Sequence, residues 1–440
     1  SSHTWAQGSP YFDIKNGASY DPAGFTTHIQ SGARTDIISG GILNFSDANG
    51  IFNADGDFQA ADGANITFAA NGRLKLAGAS PRLGRINGAE FTSSEGTVEY
   101  DLSGGGSTQT IYDIPYFNLE IDGTDATDVK TANSNLDIDG TLTITNGNLT
   151  LNNIDLDLEG DFTMAAGSFA PGNSAGHNVA GIWNETGGLF QPAAGTFTFS
   201  GTGGKTIFQN AGNFFNDLTV ASGGTDKISA NSAISVGGVF TNTNGTFDTE
   251  GNTVTVTGAT NIDGGILEIA AGTFDANDFD ANGATVTFTG AGTLKLGGGT
   301  VDLGTLDATT NDGTVEYDFN GAQGIFNATY HHLEIDNNTG TATAASALGV
   351  EGNLTVTSGN LTLNNIALTL GGNFVLTSGT FVPGNADHTV AGDWTETGGT
   401  TFEATAGKFT FTADGKTITT DAAGGNKFFN LFINPGGGNT

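Results

Sequence analysis

Gly172-Asn-Ser174-Ala-Gly176 has the Gly-x-Ser-x-Gly spacing of a nucleophile elbow, in which a strained strand-to-helix turn presents a serine for acyl transfer. No helical pattern follows it, and a second copy of the same segment reads Gly384-Asn-Ala-Asp387, without serine. The match reads as a Gly/Ser-rich turn. Gly203-Gly-Lys-Thr206 and Asp414-Gly-Lys-Thr417 resemble the end of a phosphate-binding loop. Such a loop needs a glycine five residues before the Gly of Gly-Lys-Thr, and those places hold Phe199 and Thr410. Asp278-Phe-Asp280-Ala-Asn282-Gly283 matches the first half of a calcium loop, so Asp278, Asp280 and Asn282 are the candidate calcium ligands. The twelfth position, where a bidentate glutamate belongs, is Thr289, and the default is a solvated acidic turn.

Histidine offers little more. His177 and His388 occupy equivalent places in the two copies, each six residues before a tryptophan, and read as packed or capping residues. His331 and His332 fall in a strand-like run, Tyr-His-His-Leu-Glu-Ile, where adjacent side chains face opposite sides, which speaks against a two-histidine metal site. No pair of carboxylates stands out for acid–base work on a glycosidic bond. Alternating threonines resemble the ladders of ice-binding surfaces, but Asn, Asp and Glu interrupt them. The expectation is no enzyme activity, no cofactor and no resident metal.

These residues must be positioned by strands. Helix formers are scarce among 440 residues with 70 Gly, 13 Lys plus Arg and one Met. Phe, Val, Ile and Thr suit a pleated, half-buried surface. Segments such as Gly140-Thr-Leu-Thr-Ile-Thr145 alternate with period two, placing Leu142 and Ile144 inward and Thr141, Thr143 and Thr145 outward. Gly147–Gly188 repeats as Gly359–Gly399 with 26 of 41 aligned positions identical and one gap. Further pairs (Gly96–Asp101 with Gly313–Asp318, Trp183 with Trp394, Gly204–Ile207 with Gly415–Ile418) extend the repeat over most of the chain. Gly140, Gly160 and Gly181, and again Gly352, Gly372 and Gly392, open strand-like runs about every 20 residues. The fold expected is therefore all-β: a parallel β-solenoid of about 20-residue coils in two super-repeats, about 22 coils stacked at roughly 4.8 Å, giving a rod on the order of 100 Å. Corner glycines are expected where φ turns positive, with Asn tolerating the same conformation. The expected divisions are 1–39 as a cap or inter-subunit segment, 40–217 as the first super-repeat and 218–440 as the second, continuous with it.

Charge narrows the partners. The formal net charge of −33 argues against nucleic acid and anionic membranes. Residues 1–90 carry a net of only −2 and hold all four arginines. There is no cysteine, so disulfides and thiolate metal sites are excluded, and no apolar run is long enough for a transmembrane helix. A start at Ser1 without a leader is expected either of a chain whose signal peptide has been removed or of a processed fragment.

The Gly-[Asn/Asp]-[Leu/Phe/Trp] strand starts, the Leu-Thr-Leu-Asn-Asn runs and the Phe-Phe-Asn segments resemble the secreted β-solenoid surface proteins of bacteria, the filamentous-haemagglutinin-like and autotransporter-type adhesins. The resemblance implies a right-handed β-helix, secretion to the cell surface, and a role in adhesion, matrix or fibre formation. A solenoid has two open ends, which natural proteins cap or use. Residues 1–39 have no clear partner in the second copy and contain Trp5, Tyr11, Phe12 and Tyr20. The C-terminal Asn426-Lys-Phe-Phe-Asn-Leu-Phe432 aligns by its letters with Gly212-Asn-Phe-Phe-Asn-Asp-Leu218 and carries Phe428, Phe429 and Phe432. The expectation is a structural subunit whose aromatic N-terminal segment meets the C-terminal coil of another copy, a head-to-tail contact that does not close and so builds a filament. A monomeric adhesin segment binding glycan or a host surface is the alternative, and a polysaccharide-active β-helix enzyme the third.

Overall fold

The computed structural model describes residues 3–5 (by their backbone), 11–68, 71–84, 95–125, 127–308, 312–421 and 424–434. These contain no α-helix, and their strands pair in parallel into a β-solenoid of about 19 coils of roughly 21 residues. The coils are fewer and longer than 20-residue spacing implies because corners take up extra residues. Phe162 lies beside Leu142, but Thr97 lies beside Arg73 and Phe52 beside Thr27. The chain divides into two compact units, Ser1–Gly223 and Gly224–Thr440.

In the first unit a long sheet runs in parallel order from His3–Trp5 through Asn118–Ile121, Leu142–Ile144 and Phe162–Met164 to Trp183–Glu185 and Lys205–Phe208. Two further walls complete its later coils. One stacks Leu136–Ile138, Leu156–Leu158, His177–Val179, Thr196–Phe199 and Asp217–Ala221; the other stacks Val129–Thr131, Asn148–Thr150, Ser168–Ala170 and Leu189–Phe190. Each of these coils thus supplies three short strands. The second unit repeats the pattern, with Leu348–Val350, Leu368–Leu370, Asp387–Val390, Lys408–Phe411 and Leu431–Ile433 in one wall and Leu354–Thr362, Phe374–Leu376 and Trp394–Glu396 in another.

The period-two reading holds residue by residue. Leu142 and Ile144 are fully buried, while Thr143 is only partly so. Because successive coils pair in register, like positions stack: Leu142, Phe162 and Trp183 form one interior ladder, and Leu354, Phe374 and Trp394 form its counterpart. Phe162 stacks on Trp183 with ring centroids 3.9 Å apart, and Phe374 on Trp394 at 4.0 Å. Such offset stacking adds about 0.5–1.5 kcal/mol beyond area burial.

The strand-opening glycines are required for a reason other than positive φ. Gly160, Gly181, Gly372 and Gly392 do not have positive φ. A Cβ on Gly181 would run into the backbone of Gly160 one coil below, and a Cβ on Gly392 into that of Gly372. Glycine is required there because successive corners touch. Left-handed backbone occurs at other corner glycines, as expected, such as Gly147, Gly167 and Gly188 and their counterparts Gly359, Gly379 and Gly399, and at the Asn-Asn turns, where Asn152 and Asn153 have φ of 51° and 63° and Asn364 and Asn365 have φ of 50° and 65°. Asn accepts that conformation because its short amide bonds locally. Asn153 Oδ1 takes the N–H of Asn173 on the next coil, and Asn365 Oδ1 that of Asn385.

Candidate functional site

Both units bury the same polar clamp. Trp183 and Glu185, two residues apart on one strand, point to the same side. The indole N–H of Trp183 donates to Glu185 Oε1 at 2.6 Å, and Glu185 Oε2 accepts the side-chain amide of Asn213 at 2.7 Å and the backbone N–H of Asn210 at 3.1 Å. In the second unit Trp394 donates to Glu396 at 2.6 Å, and Glu396 accepts from Asn426 at 2.9 Å and from the backbone of Asp421 at 3.0 Å. Burial raises the Glu185 carboxyl above its usual range. This clamp was not singled out from the sequence, although Trp-x-Glu at matching places in both copies was its signal. Buried tyrosine pairs, Tyr100 with Tyr116 and Tyr317 with Tyr330, repeat in the same way.

His177 and His388 belong to this interior. Both are fully buried. Nδ1 of His177 accepts the Leu156 N–H and Nδ1 of His388 accepts the Leu368 N–H, both at 3.2 Å. Each ring stacks on a phenylalanine, Phe197 or Phe409. Desolvation lowers both imidazoles to a pKa of about 4.

Ser174 donates to the carboxylate of Asp155, and its hydroxyl oxygen accepts the Gly176 N–H, so it serves a turn. Asp278 Oδ1 accepts the Thr300 N–H at 3.1 Å, and Asp280 Oδ1 accepts the Asn282 N–H at 3.0 Å. Asp280 thus holds its own turn, while Asp278 caps the start of the next coil.

Asp312, His331 and His332 are gathered, with one ligand atom from each lying within 4.8 Å of the others. The expectation that the two rings diverge fails because His331 sits in a bend ahead of the strand His332–Ala344, outside the strict alternation. The rings meet edge to face at 4.5 Å, and His331 Nε2 lies 3.3 Å from the Asp312 carboxylate. His332 Nδ1 accepts the Asn353 N–H at 2.8 Å. Burial, and then the neighbouring His331, holds His332 below the ordinary imidazole range, with Asp312 opposing.

The aromatics expected to form an assembly surface divide sharply. Trp5 lies in a described strand, paired with Ile29, but its side chain is outside the described residues. Phe12 is buried against Tyr20 and Phe52, so it and Tyr20 build the core of the first coils, while Tyr11 is 56% exposed. Phe428 packs inward on Trp394, Phe402 and Phe409. Phe429 and Phe432 stay 59% and 54% exposed, beside exposed Leu431 and Ile433.

Register shows why. Phe409 pairs with Leu431 in the second unit, as Phe197 pairs with Leu218 in the first, and Asn426 holds Glu396 as Asn213 holds Glu185. The structural counterpart of Phe428 is therefore Phe215, one residue away from the match of letters. Phe429 and Phe432 replace Asn216 and Thr219, and Phe432 stands beside the outward Thr410. No family model matches this chain, and neither a curated protein nor a solved structure does.

Proposed function

We propose that the chain is a structural, exported β-solenoid subunit that assembles head to tail into a filament or matrix fibre. The observation that carries this reading is the strand Leu431–Ile433, whose side chains are all exposed. Leu431 and Ile433 continue the inward ladder of Phe409 and Phe411. Phe429 and Phe432 add aromatic surface on the outward side, where the first unit has Asn216 and Thr219. Exposed aromatics of this kind suit contact with another chain. Negative-stain electron microscopy at rising concentration tests the reading. Filaments are expected from the chain as it stands, and far fewer from Phe429→Asn combined with Phe432→Thr, which restores the first unit's residues. Single monomer-length particles at every concentration would refute it.

A monomeric, glycan-binding surface role is favoured by a different feature. A shallow cleft of about 360 Å³ on the first unit is lined by Asp13, Arg34, Asp36, Gln59 and Arg82. Guanidinium, amide and carboxylate groups together suit sugar hydroxyls and acidic sugars. A glycan screen showing binding that is lost on Arg34→Ala would move the assignment to that reading.

A further inference from the structure

We infer that the corner formed by Asp312, His331 and His332 is a binding site for a divalent transition-metal ion of the zinc type. The argument begins with the repeat. Thr314 pairs with His332 as Thr97 pairs with Asn118, and the N–H of His332 donates to Gly313 as that of Asn118 donates to Gly96. The two corners are therefore equivalent, with Glu95, Phe117 and Asn118 standing where the second unit has Asp312, His331 and His332.

The structural duty of this corner is already met in the first unit without histidine. Asn118 Oδ1 accepts the Thr141 N–H at 2.8 Å, the same bond that His332 Nδ1 makes with Asn353. Folding thus needs an acceptor at this position and gives no reason for two imidazoles. One imidazole is partly buried, the other leans on it, and the carboxylate of Asp312 is exposed, so the face towards solvent is open to an ion. Two nitrogen donors and one carboxylate, drawn within 4.8 Å, are the donor set of zinc and its neighbours. Hard ions such as Ca²⁺ and Mg²⁺ prefer oxygen donors alone. Three protein ligands leave a fourth position to water.

One internal contact must yield. A neutral imidazole has a single lone pair, and His332 uses it at Nδ1 for the Asn353 N–H. An ion takes that pair either at Nδ1 directly or at Nε2 with the proton moved to Nδ1. In both cases the Asn353 amide loses its acceptor, which tempers affinity and supplies a signal independent of binding heat.

Calorimetric titration with Zn²⁺ in excess Mg²⁺, alongside spectra of protein labelled with ¹⁵N-asparagine, tests the site. One Zn²⁺ per chain is expected, with displacement of the Asn353 amide resonance. His331→Phe combined with His332→Asn reproduces a corner the first unit already folds, and it should weaken Zn²⁺ binding on the order of tenfold or more. Equal Zn²⁺ binding by that variant, or no Zn²⁺ uptake by the unaltered chain, would overturn the assignment.

Discussion

The two buried histidines make stability depend on pH in a window that carboxylates alone would not set. An unfolded histidine titrates near 6.5, whereas His177 and His388 are lowered to about 4 by burial. The folded state therefore refuses a proton that the unfolded chain accepts. Stability from each group is complete above the unfolded value and falls as pH drops from 6.5 towards 4. At pH 5 the unfolded imidazole is almost wholly charged and the folded one almost wholly neutral. Each histidine then lowers stability by about 2 kcal/mol relative to pH 7.5.

The perturbation that isolates this is His388→Phe, and in parallel His177→Phe. Phenylalanine keeps an aromatic ring against Phe409 or Phe197 but leaves the Leu368 or Leu156 N–H without its acceptor. That loss costs about 1–3 kcal/mol at every pH. Urea unfolding of the variants and the unaltered chain at pH 7.5 and pH 5 separates the two effects. Phenylalanine also removes the buried, unpartnered Nε2–H, which offsets that cost, so the diagnostic quantity is the pH dependence: the variant should lose about 2 kcal/mol less on acidification, because the carboxylates common to both cancel in the difference. Identical acid-induced losses would refute the reasoning, as would an imidazole pKa near 6.5 measured for His388 by NMR.

Two further perturbations probe the same interior. Glu396→Ala strips the acceptor from the indole of Trp394, the amide of Asn426 and the N–H of Asp421, and should destabilise the second unit by about 3–5 kcal/mol in urea unfolding. Gly392→Ala drives a methyl into the Gly372 backbone and should cost about 1–3 kcal/mol, while Gly398→Ala, where a Cβ meets nothing within 4 Å, should leave the thermal midpoint almost unchanged.

Much of this architecture is legible in the sequence because a solenoid ties each residue to one neighbour above and one below. Alternation alone assigned Leu142 and Ile144 to the interior, and the spacing of Trp183 and Trp394 located the paired cores. What was not legible depends on departures from alternation. His331 escapes it by sitting in a bend, so a rule valid within strands misplaced the ring. The Phe-Phe-Asn segments share their letters but not their hydrogen bonds. Aligning them by letters puts Phe428 where Phe214 stands, whereas register and the Asn426–Glu396 bond put it where Phe215 stands. Sequence likeness weighs side-chain identity, while a parallel ladder counts residues from the last shared hydrogen bond, and one extra residue in a corner separates the two. The strand-opening glycines were likewise found by spacing, yet their cause, contact between stacked backbones, becomes visible only with the coils in place.

The duplication acts as an internal control for function. The Trp–Glu–Asn clamp, the buried tyrosine pair, the stacked histidine and the Asn-Asn turn recur in both units, so each is explained by the demands of building a coil. A residue present in one unit, at a place the other fills with a plainer side chain that makes the same backbone bond, has no such explanation. His332 is of that kind, because Asn118 caps the equivalent corner. Phe429 and Phe432 differ from their counterparts as well, since Asn216 and Thr219 fill those places in the first unit, whose exposed aromatic at this corner is Phe214 instead. Solvent-facing aromatics on an edge strand invite association.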